Sequence, residues 1–117
     1  MEKIFEIGML YDFYGKLLTP KQRNLMELYY ENNLTLSEIA ENMHISRQAV
    51  HDTLKKVEIM MHDYEAALGL IEKFESNQKI IGELDEKLAG LILIEKTSPE
   101  TKDIILEIKS EMAKINN

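Results

Sequence analysis

The sequence predicts an all-α fold, and two observations support that prediction. Glycine occurs five times and proline twice in 117 residues, and Ala, Leu, Ile, Glu and Lys dominate the composition. Apolar residues also recur every three to four positions along most of the chain, and no segment shows the alternation of a strand. A chain of this length, 44% hydrophobic, is expected to form one domain or one small domain with an extension.

The rest of the composition argues against several classes of protein. The sequence contains no cysteine, which excludes disulfides and thiolate metal sites. Its longest apolar run, AGLILI at 89–94, is far shorter than the roughly 20 residues of a membrane span, and its N-terminus lacks the features of a signal peptide. We therefore expect a cytoplasmic protein with no membrane contact. No glycine loop, nucleophile–base pair or carboxylate dyad is apparent, so we expect no enzyme activity, no metal and no cofactor.

The first two helices are predicted from apolar spacing and from a start signal. The first runs from about Glu2 to Leu17. The second has Thr19 as its N-cap, Pro20 at the first helical position and Gln22 where it completes a capping box. The predicted inward face of the first helix carries Phe5, Met9, Tyr11 or Asp12, Phe13 and Leu17.

The third and fourth predicted helices have the pattern of a helix-turn-helix. Thr35 opens the third helix with a capping box to Glu38, and Ser46 caps the fourth. Ala40 supplies the small residue that the crossing of two helices needs, and His44 stands in the turn, where positive φ is common. The apolar side chains expected to hold the two helices together are Ile39, Met43, Ile45 and Val50.

The C-terminal half is predicted to extend this motif. The fourth helix is expected to continue without interruption to about Asn77, a length of up to about 28 residues. A helix from about Gln78 to Lys96, with Leu84 and Leu91 facing inward, and another capped by Ser98 should form a hairpin. The prediction is therefore a helix-turn-helix bundle with a long fourth helix and a C-terminal helical hairpin.

This pattern predicts a helix-turn-helix domain at 1–60 and an extension at 61–117. The extension is expected to pack on the long helix or to dimerise through it. No internal repeat is apparent. Glu58 and His62, four residues apart, are expected to form an ion pair on the surface.

The start of the fourth helix carries the candidate nucleic-acid-binding residues. In a helix-turn-helix these positions enter the major groove, where Arg recognises guanine and Gln adenine. The chain has a net charge of −7, of which −2 lies in residues 1–58 and −5 in 59–117, so the first half is the expected binding half. Residues 44–58 carry only +1, which predicts weak and salt-sensitive binding, or else merely a solvated face. The candidates are Arg47, Gln48, His51, Lys55 and Lys56, and Asp52 is expected on the same outward side of the helix.

The chain from LLTPKQ through LKKVE, roughly residues 17–60, resembles region four of bacterial sigma factors, which reads a promoter element. The likeness is strongest at LTLSEIAE, at ISR and at the V…KK positions. By position, the resemblance implies groove-facing roles for Arg47, Gln48, His51 and Lys55, with Lys56 beside the backbone. This sequence departs from the sigma pattern at His51 and Asp52, where sigma factors are usually richer in arginine.

Over its whole length, the chain resembles the YlxM family. The resemblance includes YDFYGKLLTPKQ ahead of the motif and an acidic helical tail behind it. Members of that family are small helix-turn-helix proteins encoded beside genes of the signal recognition particle. The resemblance implies a regulatory or accessory role near the targeting GTPase and its RNA.

Three functions remain open from the sequence. The first is an accessory protein of the signal recognition particle pathway, which would use the helix-turn-helix on the particle RNA or on the GTPase. The second is a transcriptional regulator that binds a specific DNA sequence. The third, compatible with either, is an interaction module that forms a homodimer through the long helix and the acidic tail.

Overall fold

The computed structural model describes residues 2–94 and 96–115 and confirms the all-α fold. Within these ranges it contains six α-helices and no strand, and no helix is long and apolar enough to cross a membrane. The chain divides into two compact units, Met1–Ile71 and Glu72–Asn117. The helices are α1 (Glu2–Tyr14), α2 (Pro20–Met26), α3 (Leu36–Met43), α4 (Arg47–Leu68), α5 (Leu70–Ile92) and α6 (Pro99–Ala113).

Helix α1 packs into the core of the first unit through a face that differs in part from the predicted one. Ile7, Leu10 and Tyr14 are at most 2% exposed, and Tyr11 and Phe13 pack against the core as predicted. Phe5 is 69% and Leu17 is 53% exposed, so the predicted inward face is wrong at these two residues. Both sides of α1 carry apolar residues, so contacts with the rest of the core determine which side is buried. The helix also ends at Tyr14, before a short 3-10 turn. The rest of this core comprises Leu18, Leu25, Met26, Ile39, Ala40, Val50, Leu54, Val57 and Met61.

Helix α2 has the predicted cap at its start and an irregular turn at its end. The Thr19 hydroxyl accepts from the Gln22 backbone N–H at 3.1 Å, and the Gln22 side chain accepts from the Thr19 N–H at 2.9 Å, which confirms the capping box. After α2, one turn of π-helix spans Glu27–Glu31, and the Asn32 N–H bonds the Glu27 carbonyl at 2.9 Å. A π-turn holds one residue more than an α-turn, so it shifts the side chains that follow.

This π-turn places Tyr30 against a buried carboxylate on α4. The Tyr30 hydroxyl donates to Glu58, which is only 9% exposed, and the Lys3 ammonium lies 3.7 Å from the other oxygen of that carboxylate. Burial, followed by the hydrogen bond to Glu58, raises the pKa of Tyr30. His62 pairs with Glu6 at 3.1 Å instead. The expected surface pair of Glu58 and His62 is therefore wrong.

Helix α4 ends at Leu68, so its predicted continuation to Asn77 is wrong. Gly69 adopts the left-handed conformation, with φ 61° and ψ 31°, and its N–H bonds the Glu65 carbonyl at 2.8 Å. A left-handed residue ends an α-helix, and glycine adopts this conformation without the penalty that a Cβ imposes. Helix α5 begins at the next residue, Leu70, eight positions before the predicted start of that helix.

Side chains from α1 and α4 fix the start of α5. The Tyr14 hydroxyl donates to Glu65 Oε1 at 2.5 Å and accepts from the Leu70 N–H at 3.2 Å. The same Glu65 oxygen accepts from the Ile71 N–H at 3.0 Å. These bonds satisfy two of the backbone N–H groups that the first turn of a helix leaves without helical partners. Burial, and then the bond to Glu65, raises the pKa of Tyr14.

Replacing Gly69 by alanine is expected to lower the free energy of unfolding by about 1 kcal/mol, because a Cβ is strained at positive φ. No atom lies within 4 Å of the position that the Cβ would take, so the effect isolates backbone conformation. Gly82, equally open but inside α5, is the matched control. Replacing Gly82 by alanine should raise the free energy of unfolding by about 0.5–1 kcal/mol. Denaturant unfolding measures both changes. If the two substitutions change the free energy of unfolding in the same direction, the left-handed conformation of Gly69 does not explain why α4 ends there.

The second unit contains the rest of α5 and α6. Ser98 caps α6 as predicted, since its hydroxyl accepts from the Thr101 N–H at 3.1 Å. Ile105 is buried, at 4% exposure. Leu84 and Leu91, which were predicted to face inward, are 44% and 46% exposed, so that part of the prediction is wrong.

Candidate nucleic-acid interface

The helix-turn-helix forms from α3 and α4 through local contacts that the sequence specifies. The Thr35 hydroxyl accepts from the Glu38 N–H at 3.1 Å, and the Glu38 carboxylate accepts from the Thr35 N–H at 2.9 Å, as predicted. This backbone hydrogen bond lowers the pKa of Glu38. Ile39 and Val50 are fully buried, and Ala40, 8% exposed, supplies the small side chain. The two helices are therefore held by the residues that the pattern indicated.

The turn between the helices has the backbone that the sequence predicts. His44 adopts φ 57° and ψ 42°, the left-handed conformation. The Ile45 N–H then bonds the Ala40 carbonyl at 3.0 Å, which closes the end of α3. The Ser46 hydroxyl accepts from the Ala49 N–H at 3.0 Å and caps α4. These contacts fix the residue at which α4 begins.

All five candidate residues lie on the exposed side of α4. At 100° per residue, the first four and Asp52 occupy an arc of about 140°, and Lys56 lies beyond the edge of that arc. The centre of the arc lies about 130° around the helix from the buried Val50. The structure thus brings the candidates onto one surface, which we call the reading face. It consists of Arg47, Gln48, His51, Asp52 and Lys55, with Lys56 at its border.

Asp52 contacts two of the candidate residues. The Gln48 side-chain amide donates to Asp52 Oδ1 at 2.9 Å, and His51 Nδ1 lies 3.4 Å from the same oxygen. Glutamine reads adenine by donating and accepting at once, so a base has to compete with Asp52 for the Gln48 donor. The carboxylate is 67% exposed and also repels phosphate. Asp52 is therefore expected to oppose nucleic-acid binding both through its charge and through its hydrogen bond to Gln48.

Replacing Asp52 by asparagine is expected to strengthen nucleic-acid binding about 3- to 10-fold at low salt, because one negative charge leaves the reading face. Fluorescence anisotropy with a labelled duplex measures the change. Asp63→Asn is the matched control, since Asp63 is exposed on the same side of α4 about 16 Å further along. Equal effects of the two substitutions would mean that overall charge, rather than the reading face, governs binding.

Two features at or beside the reading face were not predicted from the sequence. The Gln48–Asp52 contact was foreseeable from the spacing of four residues within a helix. The other feature is Lys21, an exposed residue of α2. It lines a groove of about 320 Å³ together with Ala49 and Thr53 of α4. No local pattern indicates that Lys21 lies next to α4, because the contact is made across the fold.

A capped α3, a left-handed turn and an exposed α4 N-terminus define a helix-turn-helix protein. The chain matches the family model UPF0122, described as "Putative helix-turn-helix protein, YlxM / p13 like", over residues 1–113. The chain belongs to this family, which confirms the resemblance to YlxM. The family is described by its fold motif rather than by an enzyme activity.

Similar proteins of this family occur in several bacteria. A UPF0122 protein of Anoxybacillus flavithermus is 48% identical, over 80% of this chain and 94% of its own length. One of Desulforamulus reducens is 47% identical, over 77% of each chain. One of Bacillus mycoides is 40% identical, over 93% of this chain and 96% of its own.

Proposed function

We propose that this protein is a regulatory or accessory protein that binds nucleic acid through its reading face and acts in the signal recognition particle pathway. The observation that carries the first part is the helix-turn-helix geometry, with Arg47, His51 and Lys55 exposed at the start of α4. In proteins of this kind, that position enters a groove of a duplex. The pathway rests on the resemblance to YlxM, which implies a role near the particle RNA or the targeting GTPase.

The charge of the reading face sets the strength of binding. Arg47, Lys55 and Lys56 supply three cations on α4, and each neutralised phosphate contributes about −0.9 to the salt slope on a duplex. Three contacts give a slope of about −2.7, which corresponds to a loss of affinity of about 40-fold between 50 and 200 mM salt. Binding should therefore be detectable at low salt and weak at physiological salt, unless a protein partner adds contacts.

A salt titration tests this proposal. The affinity of the purified protein is measured for the particle RNA and for a random DNA duplex of equal length, from 50 to 200 mM salt. Preference for the RNA, with a slope near −3, supports the proposal. A slope near zero for both would remove nucleic acid as the ligand.

The pathway assignment needs a separate experiment. The tagged protein is incubated with the purified targeting GTPase, with the particle RNA, and with both together, at low salt. Retention of either component supports the assignment. Retention of neither overturns it and leaves the binding of other nucleic acids open.

A second candidate function is sequence-specific regulation of transcription. It is favoured by Arg47 and Gln48, which occupy the first two positions of α4, where base edges are read. Selection from random duplexes should then enrich one motif, and Arg47→Ala should abolish that enrichment. A selected pool that stays random rejects this candidate.

A further inference from the structure

Helices α5 and α6 have the same pattern of side chains, contrary to the expectation that the chain has no internal repeat. The stretch KIIGELDEKLAGL at 79–91 corresponds to DIILEIKSEMAKI at 103–115, at a constant offset of 24 positions. The correspondence covers apolar positions on two sides of each helix. The corresponding apolar pairs are Ile80 and Ile104, Ile81 and Ile105, Leu84 and Ile108, Leu88 and Met112, and Leu91 and Ile115.

One of these two sides faces the other helix of the hairpin. Lys109 Nζ lies 3.4 Å from Asp85 Oδ1, and these two residues correspond to each other in the repeat. Ile81 and Met112 line a shared groove of about 290 Å³. The helices run antiparallel, so a pseudo-twofold axis through Asp85 and Lys109 relates α5 to α6.

The second side of each helix is an apolar row open to solvent. On α5, Ile80, Leu84 and Leu91 are 51%, 44% and 46% exposed. Their spacing of four and seven residues places them within about 40° of one another around the helix. The equivalent row begins on α6 with Ile104 and Ile108, at 56% and 42% exposure. It ends with Ile115, 61% exposed, in the turn directly after that helix.

Both rows lie on the same side of the hairpin. In α5 the row lies about 90° around the helix from the side that carries Ile81 and Asp85, which faces α6. In α6 the corresponding row lies about 90° from the side that carries Ile105 and Lys109, and the rotation has the same direction as in α5. The pseudo-twofold axis stands perpendicular to both helices, so it carries the α5 row onto the α6 row without changing the direction in which they point. The two rows therefore form one continuous surface, which we call the apolar face.

The size of the apolar face matches an interface between proteins. Six isoleucine and leucine side chains at 42–61% exposure offer on the order of 500 Å² of apolar surface. This is about the apolar share of the roughly 800 Å² that each partner buries in a standard interface. Two helices alone also form a poor core, because a helical hairpin can bury only one side of each helix.

The charges within the rows indicate that the partner bound by the apolar face is the apolar face of a second copy of this chain. Lys87 lies within the α5 row, between Leu84 and Leu91, and Glu111 holds the equivalent place in the α6 row. A twofold axis parallel to the helices sets α5 of one copy antiparallel to α6 of the other. Lys87 then comes within about one helical turn of Glu111 of the second copy, so the cation of one row approaches the anion of the other. Setting α5 on α5 would instead pair rows of like charge.

We propose that the apolar face binds the apolar face of a second copy of this chain, so that the two hairpins form an antiparallel four-helix bundle. Leu84 and Ile108 lie at the centre of the two rows, and their side chains become buried on pairing. The Lys87 and Glu111 positions select the arrangement in which α5 packs on α6 of the other copy. This dimer does not depend on the nucleic-acid-binding function proposed above.

Light scattering coupled to size-exclusion chromatography, without nucleic acid, tests the proposal on the full chain. We expect about twice the chain mass of 13.6 kDa at micromolar concentration. Leu84→Glu should raise the dissociation constant of the dimer about 100-fold or more and give a monomer, because the new charge would be buried in the interface. Far-UV circular dichroism checks that the variant stays helical.

Leu106→Glu is the matched control. Leu106 is 54% exposed, but it lies about 200° around α6 from Ile104 and so outside the apolar face. This variant should remain a dimer. A wild-type monomer up to millimolar concentration would overturn the proposal, as would a dimer that both substitutions disrupt equally or that neither disrupts.

A charge exchange tests the arrangement of the helices. Lys87→Glu alone should weaken the dimer about tenfold, and adding Glu111→Lys in the same chain should restore it. Restoration supports packing of α5 on α6 of the second copy. A double variant weaker than Lys87→Glu alone overturns that arrangement.

Discussion

Replacing Arg47 by alanine is expected to weaken nucleic-acid binding by about 10- to 100-fold at low salt. Arg47 is the first residue of α4, directly after the Ser46 cap, and it is exposed. A bidentate contact between arginine and a base is worth about 1–3 kcal/mol, and the loss of one cation should also reduce the salt slope by about one. Fluorescence anisotropy at several salt concentrations measures both quantities.

Lys16→Ala provides the control for charge alone. Lys16 is exposed in the first unit, in the 3-10 turn after α1 and outside the helix-turn-helix. Its loss changes the net charge by the same amount, and we expect less than a threefold effect on affinity. If the two variants bind equally well, the start of α4 is not part of the interface.

Replacing Tyr30 by phenylalanine is expected to lower the free energy of unfolding by about 2 kcal/mol. The Tyr30 hydroxyl donates to Glu58, and without it the buried carboxylate loses one of its hydrogen-bond donors. Tyr29→Phe is the control, because the Tyr29 ring stands edge-on to Tyr30 at 4.9 Å and is likewise half-buried. Denaturant unfolding should show a change of less than about 0.5 kcal/mol for the control.

The same contact predicts how stability depends on pH. The pKa of Tyr30 is raised above its ordinary value of 10.0, first by burial and then by its bond to Glu58. Above about pH 10, the unfolded chain therefore loses a proton that the folded chain keeps, and the free energy of unfolding falls as pH rises. Unfolding curves between pH 8 and 11 should show this fall in the wild-type protein. If the free energy of unfolding of Tyr30→Phe falls equally steeply with pH, titratable groups other than Tyr30 cause the fall.

The parts of the fold that the sequence predicts correctly are those set by neighbours in the chain. The capping boxes at Thr35 and Thr19 involve residues three apart, and the left-handed turn at His44 is one that few residue types tolerate. The reading face follows from these, because a cap and a turn together fix the residue at which α4 begins. Its role in binding stays a prediction.

The parts that the sequence predicts incorrectly depend on distant contacts. Apolar residues continue at helical spacing through Gly69, so the pattern favours an unbroken helix. The break involves Tyr14, whose hydroxyl bonds the N–H of Leu70, 56 positions away. The inward side of α1 was misjudged because Phe5 and Ile7 are equally apolar, and only the packed core distinguishes between them. The exposure of Leu84 was missed because α5 has two apolar sides.

The π-turn at Glu27–Glu31 has a consequence for comparing this chain with its relatives. The turn holds one residue more than an α-turn does, so it behaves like a single-residue insertion that the fold absorbs locally. A relative that lacks one residue in this stretch would close the turn as ordinary α-helix, with α3 undisturbed. The residue aligned with Tyr30 would then point about 100° away from Glu58. An alignment gap in this stretch would therefore coincide with the loss of the Tyr30–Glu58 hydrogen bond.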